Sequence, residues 1–261
     1  MIPKLVIQTF GRRELPPKIA SVRDEMIARN PDYVFQLFDD ADIADFINDA
    51  YGAKTLTAYH SIDPRYGAAR ADFFRYLSVY ARGGIYLDIK SSFSKPIDEV
   101  LQADDEYIIS QWRNQPGDLH AGFGLHRDLA DLPGGEFQQW HVIAREQHPF
   151  LEAVIERVLG NIAHYSSWRF GVGRIGVQRV TGPIAYTRAI LPILDTAPYR
   201  RVPDETAISL HYSIAEGYSH LDVFKSHYSL HRHSIVRVPF QRQPAEAAYR
   251  AAQRLRAWLR P

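Results

Sequence analysis

An apolar strand that ends on an acidic residue constrains the fold of this chain more than any other feature. Residues 83–90 read Gly-Gly-Ile-Tyr-Leu-Asp-Ile-Lys, so the apolar run leads directly to Asp88. The glycine pair ends an amphipathic helix that carries Asp72 and Arg75 three positions apart, as neighbours on its surface. In open α/β sheets, ligands bind in the crevice beyond the carboxyl ends of the strands. An acid and a cation at this edge therefore indicate a site for a charged ligand.

The composition is that of an ordinary globular chain, and it excludes several classes of function. Hydrophobic residues make up 46% and charged residues 23%, and the net charge is +1. This balance gives no overall field that would attract a nucleic acid, so we expect no nucleic-acid partner. The chain has no cysteine, which excludes disulfides, thiol catalysis and cysteine metal sites. No segment approaches the ~20 apolar residues that cross a bilayer, and we expect a cytoplasmic protein.

Hydrophobic periodicity predicts strands that alternate with helices along the chain. The predicted strands cover residues 5–10, 33–38, 85–89 and 107–109, and the predicted helices cover residues 16–29, 43–51, 66–82, 149–162 and 183–194. This alternation predicts an α/β fold. We expect Asp39 or Asp40 to cap the second helix. No repeat or linker interrupts the sequence, so a single domain over residues 1–261 is expected.

The last 18 residues, 244–261, form a separate feature. An apolar stripe at helical spacing is flanked by arginines, and it consists of Ala248, Ala251, Leu255, Trp258 and Leu259. A basic amphipathic helix of this kind can lie in the interface of an anionic membrane. The alternative is a surface helix that packs against its own domain, and the sequence leaves both open.

Several short motifs, taken together, resemble one known family. The matching stretches are residues 2–9, 69–76, 83–88, 95–98, 139–140, 148–151 and 181–183. They resemble the DXD-type glycosyltransferases, which include the yeast initiating α-1,6-mannosyltransferase, bacterial capsular-polysaccharide transferases and, more distantly, the glucosylating clostridial toxins. The resemblance implies a GT-A fold with a mixed, mostly parallel sheet. It also implies transfer of a sugar from a UDP- or GDP-sugar, usually with retention, to a glycan or lipid-linked saccharide acceptor in polysaccharide biosynthesis.

The resemblance also assigns donor-binding residues. Asp72 and Arg75 match residues that contact the nucleotide-sugar, and Gln8 and Thr9 match the strand end that borders the base. Tyr86, which lies within the matching strand, is placed in the same group. The alternative for Asp72 and Arg75 is an ion pair on a solvated helix face, worth only ~0.2–0.5 kcal/mol.

The metal site that the resemblance implies is incomplete in this sequence. The two acids of the DXD motif hold a divalent cation such as Mn²⁺ or Mg²⁺; Asp88 matches the first acid, but Lys90 stands in place of the last. Lys90 has three interpretations: it neutralises the diphosphate itself, a metal binds through Asp88 and a distant histidine, or its side chain points to solvent. We favour the first, with Asp88, Lys90 and Arg75 as the catalytic residues. Under the second, His227 is the preferred ligand and His211 the next.

Two other functions fit the same sequence. The chain could be an inactive relative that still binds a nucleotide-sugar but has lost catalysis together with the second acid. It could also be an adaptor that docks on a membrane through residues 244–261. Turnover of a nucleotide-sugar separates the transferase from both alternatives.

Overall fold

A six-stranded sheet lies at the centre of the protein, whose computed structural model describes residues 1–213 and 231–258. The strands β1 to β8 are Leu5–Thr9, Val34–Phe38, Gly84–Leu87, Ser92–Phe93, Tyr107–Ile109, His141–Ala144, Arg200–Arg201 and Leu210–His211. The strand order in the large sheet is β2-β1-β3-β6-β5-β7, and β6 runs opposite to the other five strands. Strands β4 and β8 pair separately as a small antiparallel sheet. The predicted mixed, mostly parallel sheet is therefore confirmed.

Helices cover the sheet. The helices α1 to α8 are Pro17–Arg29, Asp40–Ser61, Gly67–Arg82, Pro149–Ala163, Ser167–Phe170, Gly173–Val180, Pro183–Ile190 and Gln243–Trp258. The predicted cap of α2 is Asp39, whose side chain accepts hydrogen bonds from the backbone N–H groups of Ala41 and Asp42. Gly52, with a φ of 75°, interrupts α2 and divides it into two helical segments.

Alternation along β3 places its side chains in two different hydrophobic layers. Ile85 and Leu87 belong to one buried cluster, whereas Tyr86 belongs to the other, together with Phe73 and Leu77 of α3. Successive strand residues point to opposite faces of a sheet, so Tyr86 faces the helix that carries Asp72 and Arg75. Strand β3 ends at Leu87, so the next residue, Asp88, lies at the carboxyl edge of the sheet.

Strand β3 and helix α7 were each predicted to run several residues beyond their observed ends. Strand β3 ends at Leu87 rather than at residue 89, because the following residues form a turn closed by a 2.8 Å hydrogen bond from Ser91 N to Asp88 O. Helix α7 ends at Ile190 rather than at residue 194. Pro192 has no N–H to donate to the carbonyl of Arg188, and Arg157 Nη2 donates to that carbonyl instead at 3.0 Å.

Strand β6 was not among the predicted strands. Gln139 and Trp140 lead into this strand, which inserts between β3 and β5. All four residues of β6 are buried. A strand that is covered on both faces shows no polar alternation, which explains why periodicity did not reveal it.

The C-terminal helix packs against the domain through its first turns. The carboxylate of Glu246 accepts hydrogen bonds from Ser167 N at 2.9 Å and from Ser234 Oγ at 2.8 Å. Tyr249 is buried, with its ring 5.2 Å from that of Trp168. The buried residues are therefore not those of the predicted apolar stripe, four of which are exposed: Ala248, Ala251, Leu255 and Trp258. Its fifth member, Leu259, lies outside the described residues.

We expect Gly84→Ala to lower the free energy of unfolding by roughly 2–4 kcal/mol. Gly84 has a φ of 98°, and a Cβ there would lie 2.6 Å from the carbonyl oxygen of Leu5 on β1. Urea unfolding measures the loss. The matched control is Gly160→Ala in α4, where a Cβ meets no atom within 4 Å and stability should rise by roughly 0.5–1 kcal/mol. A Gly84→Ala variant as stable as the parent would contradict the prediction.

Candidate active site

A cavity of about 1370 Å³ opens beyond the carboxyl ends of β1 and β3. It is lined by most of the residues predicted from the sequence: Thr9, Asp72, Arg75, Tyr86, Asp88 and Lys90. The register explains the convergence, since β1 and β3 pair in parallel, with Val6 beside Ile85 and Ile7 beside Tyr86. Both strands therefore end at the same edge, beneath the buried face of α3.

Arg75 joins the two acids of this site. Its Nη2 lies 3.0 Å from Asp72 Oδ1 and 3.1 Å from Asp88 Oδ1. Its Nη1 donates to the backbone carbonyl of Gln139 at 2.6 Å and to the side-chain Oε1 of Gln139 at 2.8 Å. Asp72 and Arg75 are each only 4% exposed, so the alternative of an ion pair on a solvated helix face is wrong.

The opposing charges offset the cost of burying these groups. Burial raises the pKa of the Asp72 carboxyl above its usual range, while Arg75 opposes that shift. Two hydrogen bonds also favour the charged carboxylate: Gln139 Nε2 donates at 3.2 Å and Thr181 Oγ1 donates at 3.1 Å. Burial lowers the pKa of Arg75, but the neighbouring acidic groups, above all Asp88, raise it more. The pKa of Arg75 therefore lies above its ordinary value.

Tyr86 connects this ion cluster to strand β1. Its hydroxyl lies 3.0 Å from Thr9 Oγ1 and 3.4 Å from Asp88 Oδ1. The guanidinium carbon of Arg75 lies 4.6 Å from the centre of the Tyr86 ring, a cation–π distance. Burial raises the pKa of Tyr86, which keeps its hydroxyl protonated. Thr9 therefore lies beside the ion cluster.

Gln8 differs from the other predicted site residues. It is 1% exposed and is not among the residues that line the cavity. Strand alternation turns its side chain away from Thr9, toward the opposite face of the sheet. Within the described residues, both its amide oxygen and its amide nitrogen lack a hydrogen-bond partner.

Lys90 reaches the cavity from the turn that follows β3. Its Nζ lies 4.0 Å from the centre of the Tyr212 ring. Tyr212 is held there because Ser91 Oγ donates to its backbone carbonyl at 2.6 Å, and because Ser92 pairs with His211 across the small sheet. The described part of the chain shows no ion pair for Lys90, so its charge remains available to a ligand.

The side chains of the described residues do not form a set of ligands for a divalent metal. Asp88 offers one carboxylate, and its Oδ1 already contacts Arg75. Across residues 1–213 and 231–258, no three His, Cys, Asp or Glu side chains are arranged to hold an ion. His211 lines the cavity, whereas the preferred ligand, His227, lies outside the described residues.

A second group of residues that line the cavity was not predicted from the sequence. Trp112, His120, Glu136 and Glu205 line the side built from the long connections around β5, β6 and β8, and Tyr212 joins them to Lys90. The rings of Trp112 and His120 lie 4.9 Å apart, and those of Trp112 and Tyr212 lie 5.0 Å apart. These residues follow no helical or strand period, so the sequence carried no signal for them beyond their residue types.

The architecture agrees with that of a solved glycosyltransferase domain. The ligand-free glycosyltransferase domain from the YGT toxin superposes with a TM-score of 0.51 at 10% sequence identity, covering 84% of this chain and 83% of that one. At this identity the likeness concerns the fold alone. The fold is therefore of the GT-A type, as predicted.

The sequence comparisons agree with the fold. Residues 16–107 match the family described as "Glycosyltransferase sugar-binding region containing DXD motif". Inositol phosphoceramide mannosyltransferase 3 of Schizosaccharomyces pombe is 36% identical over 206 residues, covering 79% of this chain and 48% of that protein. The initiation-specific α-1,6-mannosyltransferase of Candida albicans is 28% identical over 166 residues, covering 60% and 42%. The predicted resemblance is thus confirmed, and the chain spans about half the length of these curated relatives.

We expect Arg75→Met to lower the free energy of unfolding by about 3–5 kcal/mol, because it leaves the buried carboxylate of Asp72 without its cation. Adding Asp72→Asn to that variant should recover part of the loss, because the fully buried carboxylate is then replaced by a neutral amide. Urea unfolding of the two single variants and the double variant measures the effect. The control is Arg145→Met, which breaks a partly exposed pair with Glu106 and should cost less than about 1 kcal/mol. An equal, small loss at both arginines would contradict the account.

Proposed function

We propose that this chain is a glycosyltransferase that moves a sugar from a nucleotide-sugar donor to a saccharide acceptor. The observation that carries the proposal is the position of Arg75, which lies between Asp72 and Asp88 where β3 ends at a large cavity. Carboxylates accept hydrogen bonds from ribose and sugar hydroxyls, and a lysine beside them attracts phosphate. The family match over residues 16–107 supports the same chemistry.

In this proposal the ion cluster holds the donor and Lys90 acts on its leaving group. Arg75 fixes Asp72 and Asp88 in place through its two ion pairs, so that their remaining oxygen lone pairs can accept hydrogen bonds from donor hydroxyls. Lys90 lies over Tyr212 at the mouth of the same cavity. From there its ammonium group neutralises the charge that develops on the departing diphosphate, which is a large catalytic contribution in a site that excludes water.

The cavity has room for two substrates. Its volume of about 1370 Å³ exceeds the ~300–1,000 Å³ that is usual for one small ligand. The yeast relatives are named as mannosyltransferases, two of them for an inositol phosphoceramide acceptor. These names support a mannose donor and a glycan or lipid-linked saccharide acceptor, as in polysaccharide or glycolipid synthesis. We also propose retention at the anomeric carbon, which the family resemblance supports.

We expect transfer to survive chelation with EDTA, because Lys90 supplies the positive charge that a metal would otherwise supply. The melting temperature is measured by thermal shift with UDP, GDP and their sugars, with and without manganese. The nucleotide that raises it is the one that binds. Sugar release is then measured with the ligand that raises the melting temperature. Lys90→Met should lower turnover about 10²–10³-fold. Activity that EDTA abolishes and manganese restores would contradict the role of Lys90, and binding without any sugar release would indicate an inactive relative.

We further propose that α8 rests on an anionic membrane, with the catalytic domain in the cytoplasm. Among the described residues, no helix has both the length and the apolar character needed to cross a bilayer. Leu255 and Trp258 are 57% and 81% exposed, on a helix that also presents Arg250 and Arg254 to solvent. Exposed apolar side chains beside arginines suit the interface of a membrane with acidic lipids. Such contact would bring a lipid-linked acceptor to the domain.

Replacing both Leu255 and Trp258 by alanine should weaken sedimentation with phosphatidylserine vesicles about tenfold or more, because the apolar area that enters the membrane is lost. The melting temperature should not change, because both side chains are exposed. Vesicles of phosphatidylcholine alone serve as the control and should bind weakly. Undiminished binding of the double variant to phosphatidylserine vesicles would refute the membrane contact.

A further inference from the structure

The pair formed by His120 and Glu205 lines the cavity and has no role in donor binding as described above. The Nε2 atom of His120 lies 3.1 Å from Glu205 Oε1, and the two side chains are 15% and 4% exposed. A carboxylate this deeply buried requires polar or charged partners. One of these partners is the imidazole of His120, which lies at the cavity wall.

A buried chain of polar side chains fixes the orientation of Glu205. Gln138 Nε2 donates to Glu205 Oε2 at 2.7 Å, and the other end of that amide, Oε1, accepts from Ser110 Oγ. Ser110 Oγ in turn lies 3.0 Å from His141 Nε2. Burial lowers the pKa of His141 to about 3, so this end of the chain is neutral. Both carboxylate oxygens of Glu205 are therefore committed, one to Gln138 and the other to His120.

This arrangement selects the tautomer of His120. The negative charge of Glu205 beside Nε2 favours a proton on that nitrogen, so neutral His120 keeps a free lone pair on Nδ1. Within the described residues, Nδ1 has no hydrogen-bond partner. An imidazole whose second nitrogen is held by a carboxylate is oriented to accept a proton from a substrate, as in other histidine–carboxylate pairs.

Tyr212 places His120 next to the expected position of the donor diphosphate. The ring centres of His120 and Tyr212 lie 6.1 Å apart, and Lys90 Nζ lies 4.0 Å from the centre of the same tyrosine ring. The ring of Trp112, centred 4.9 Å from that of His120 and 5.0 Å from that of Tyr212, extends this aromatic surface. Aromatic faces of this kind suit the apolar faces of a sugar ring. His120 thus lies in one aromatic cluster with the ring that carries the cation for the leaving group and a ring that suits a saccharide.

We propose that His120, oriented by Glu205, is the base that accepts the proton of the attacking acceptor hydroxyl. The inference rests on the proposed transferase function. In the step, which retains the anomeric configuration, the acceptor oxygen bonds to the anomeric carbon on the same face from which the diphosphate departs, while the bond from that carbon to the diphosphate oxygen breaks. The hydroxyl proton passes to Nδ1 of His120, and the diphosphate leaves with the bonding electron pair beside Lys90. The acceptor that this site takes is a saccharide hydroxyl seated on the ring of Trp112.

A second histidine–carboxylate pair in the cavity provides an internal comparison. His126 Nε2 contacts Glu136 Oε2, and the other oxygen of Glu136 accepts from Trp112 Nε1 at 2.7 Å. Among the described residues, His126 has no ring contact with Tyr212, whereas His120 does. The two pairs share their chemistry, but only His120 contacts the tyrosine ring over which Lys90 lies, so only His120 is assigned to proton transfer.

The experiment measures transfer from GDP-mannose and UDP-glucose to methyl α-mannoside, together with sugar release to water. We expect His120→Gly to lower kcat/KM about 100-fold or more, which is the contribution of a general base, and added imidazole to restore part of kcat. The donor nucleotide should still raise the melting temperature of this variant, because the ion cluster is unchanged. Glu205→Gln, which keeps the shape of the side chain, should lower kcat without restoration by imidazole. His126→Gly is the matched control, and imidazole should not raise its activity.

The outcomes separate this inference from the function on which it rests. A parent protein that neither transfers nor releases sugar overturns the transferase function and the base together. A parent that is active while His120→Gly keeps its turnover overturns the base alone. Loss of turnover that imidazole does not restore, or equal rescue in His126→Gly, also overturns the assignment to His120. Rescue confined to His120→Gly, with nucleotide binding retained, supports it.

Discussion

The guanidinium group of Arg75 is the interaction on which the site depends. Asp72 is a buried residue of helix α3 and Asp88 follows the end of strand β3, so the Asp72 carboxylate above all would be held at high cost without a cation between them. Arg75 Nη2 lies within 3.1 Å of both carboxylates, and Nη1 is fixed by Gln139. Arg75 thereby holds together helix α3, the edge of the sheet and the connection before β6, and the cavity opens beside this residue.

Sequence segments that are far apart converge on this point. Thr181, more than a hundred residues after Asp72, donates to its second carboxylate oxygen. Gln139 contacts both Asp72 and Arg75. Residues 139–140 and 181–183 are among the stretches that resemble the family. The fold explains why both accompany residues 69–76, because Gln139 and Thr181 contact the ion cluster of that stretch. Gln139 orients the ion cluster and also lines the cavity.

The residues on the donor side of the cavity could be predicted from the sequence, whereas those on the other side could not. Helix α3 and strand β3 follow regular apolar periods separated by Gly83 and Gly84, so their meeting at the sheet edge was predictable. Lys90 was also visible as a departure from the expected pattern. Trp112, His120 and Glu205 were not, because they lie on irregular segments whose positions are set by tertiary pairing between β4 and β8 and around β6. Gln8 lies on the predicted strand, but its side chain is buried and does not line the cavity.

A crystal structure of the chain with the nucleotide diphosphate that binds it tests the central claim most directly. The account predicts that the diphosphate lies at the end of β3, with a phosphate oxygen within hydrogen-bond distance of Lys90 Nζ. It also predicts that Arg75 remains between Asp72 and Asp88, with the ribose or sugar hydroxyls on the two carboxylates. A nucleotide bound elsewhere, or a complex in which Lys90 points away from the phosphates, would contradict it.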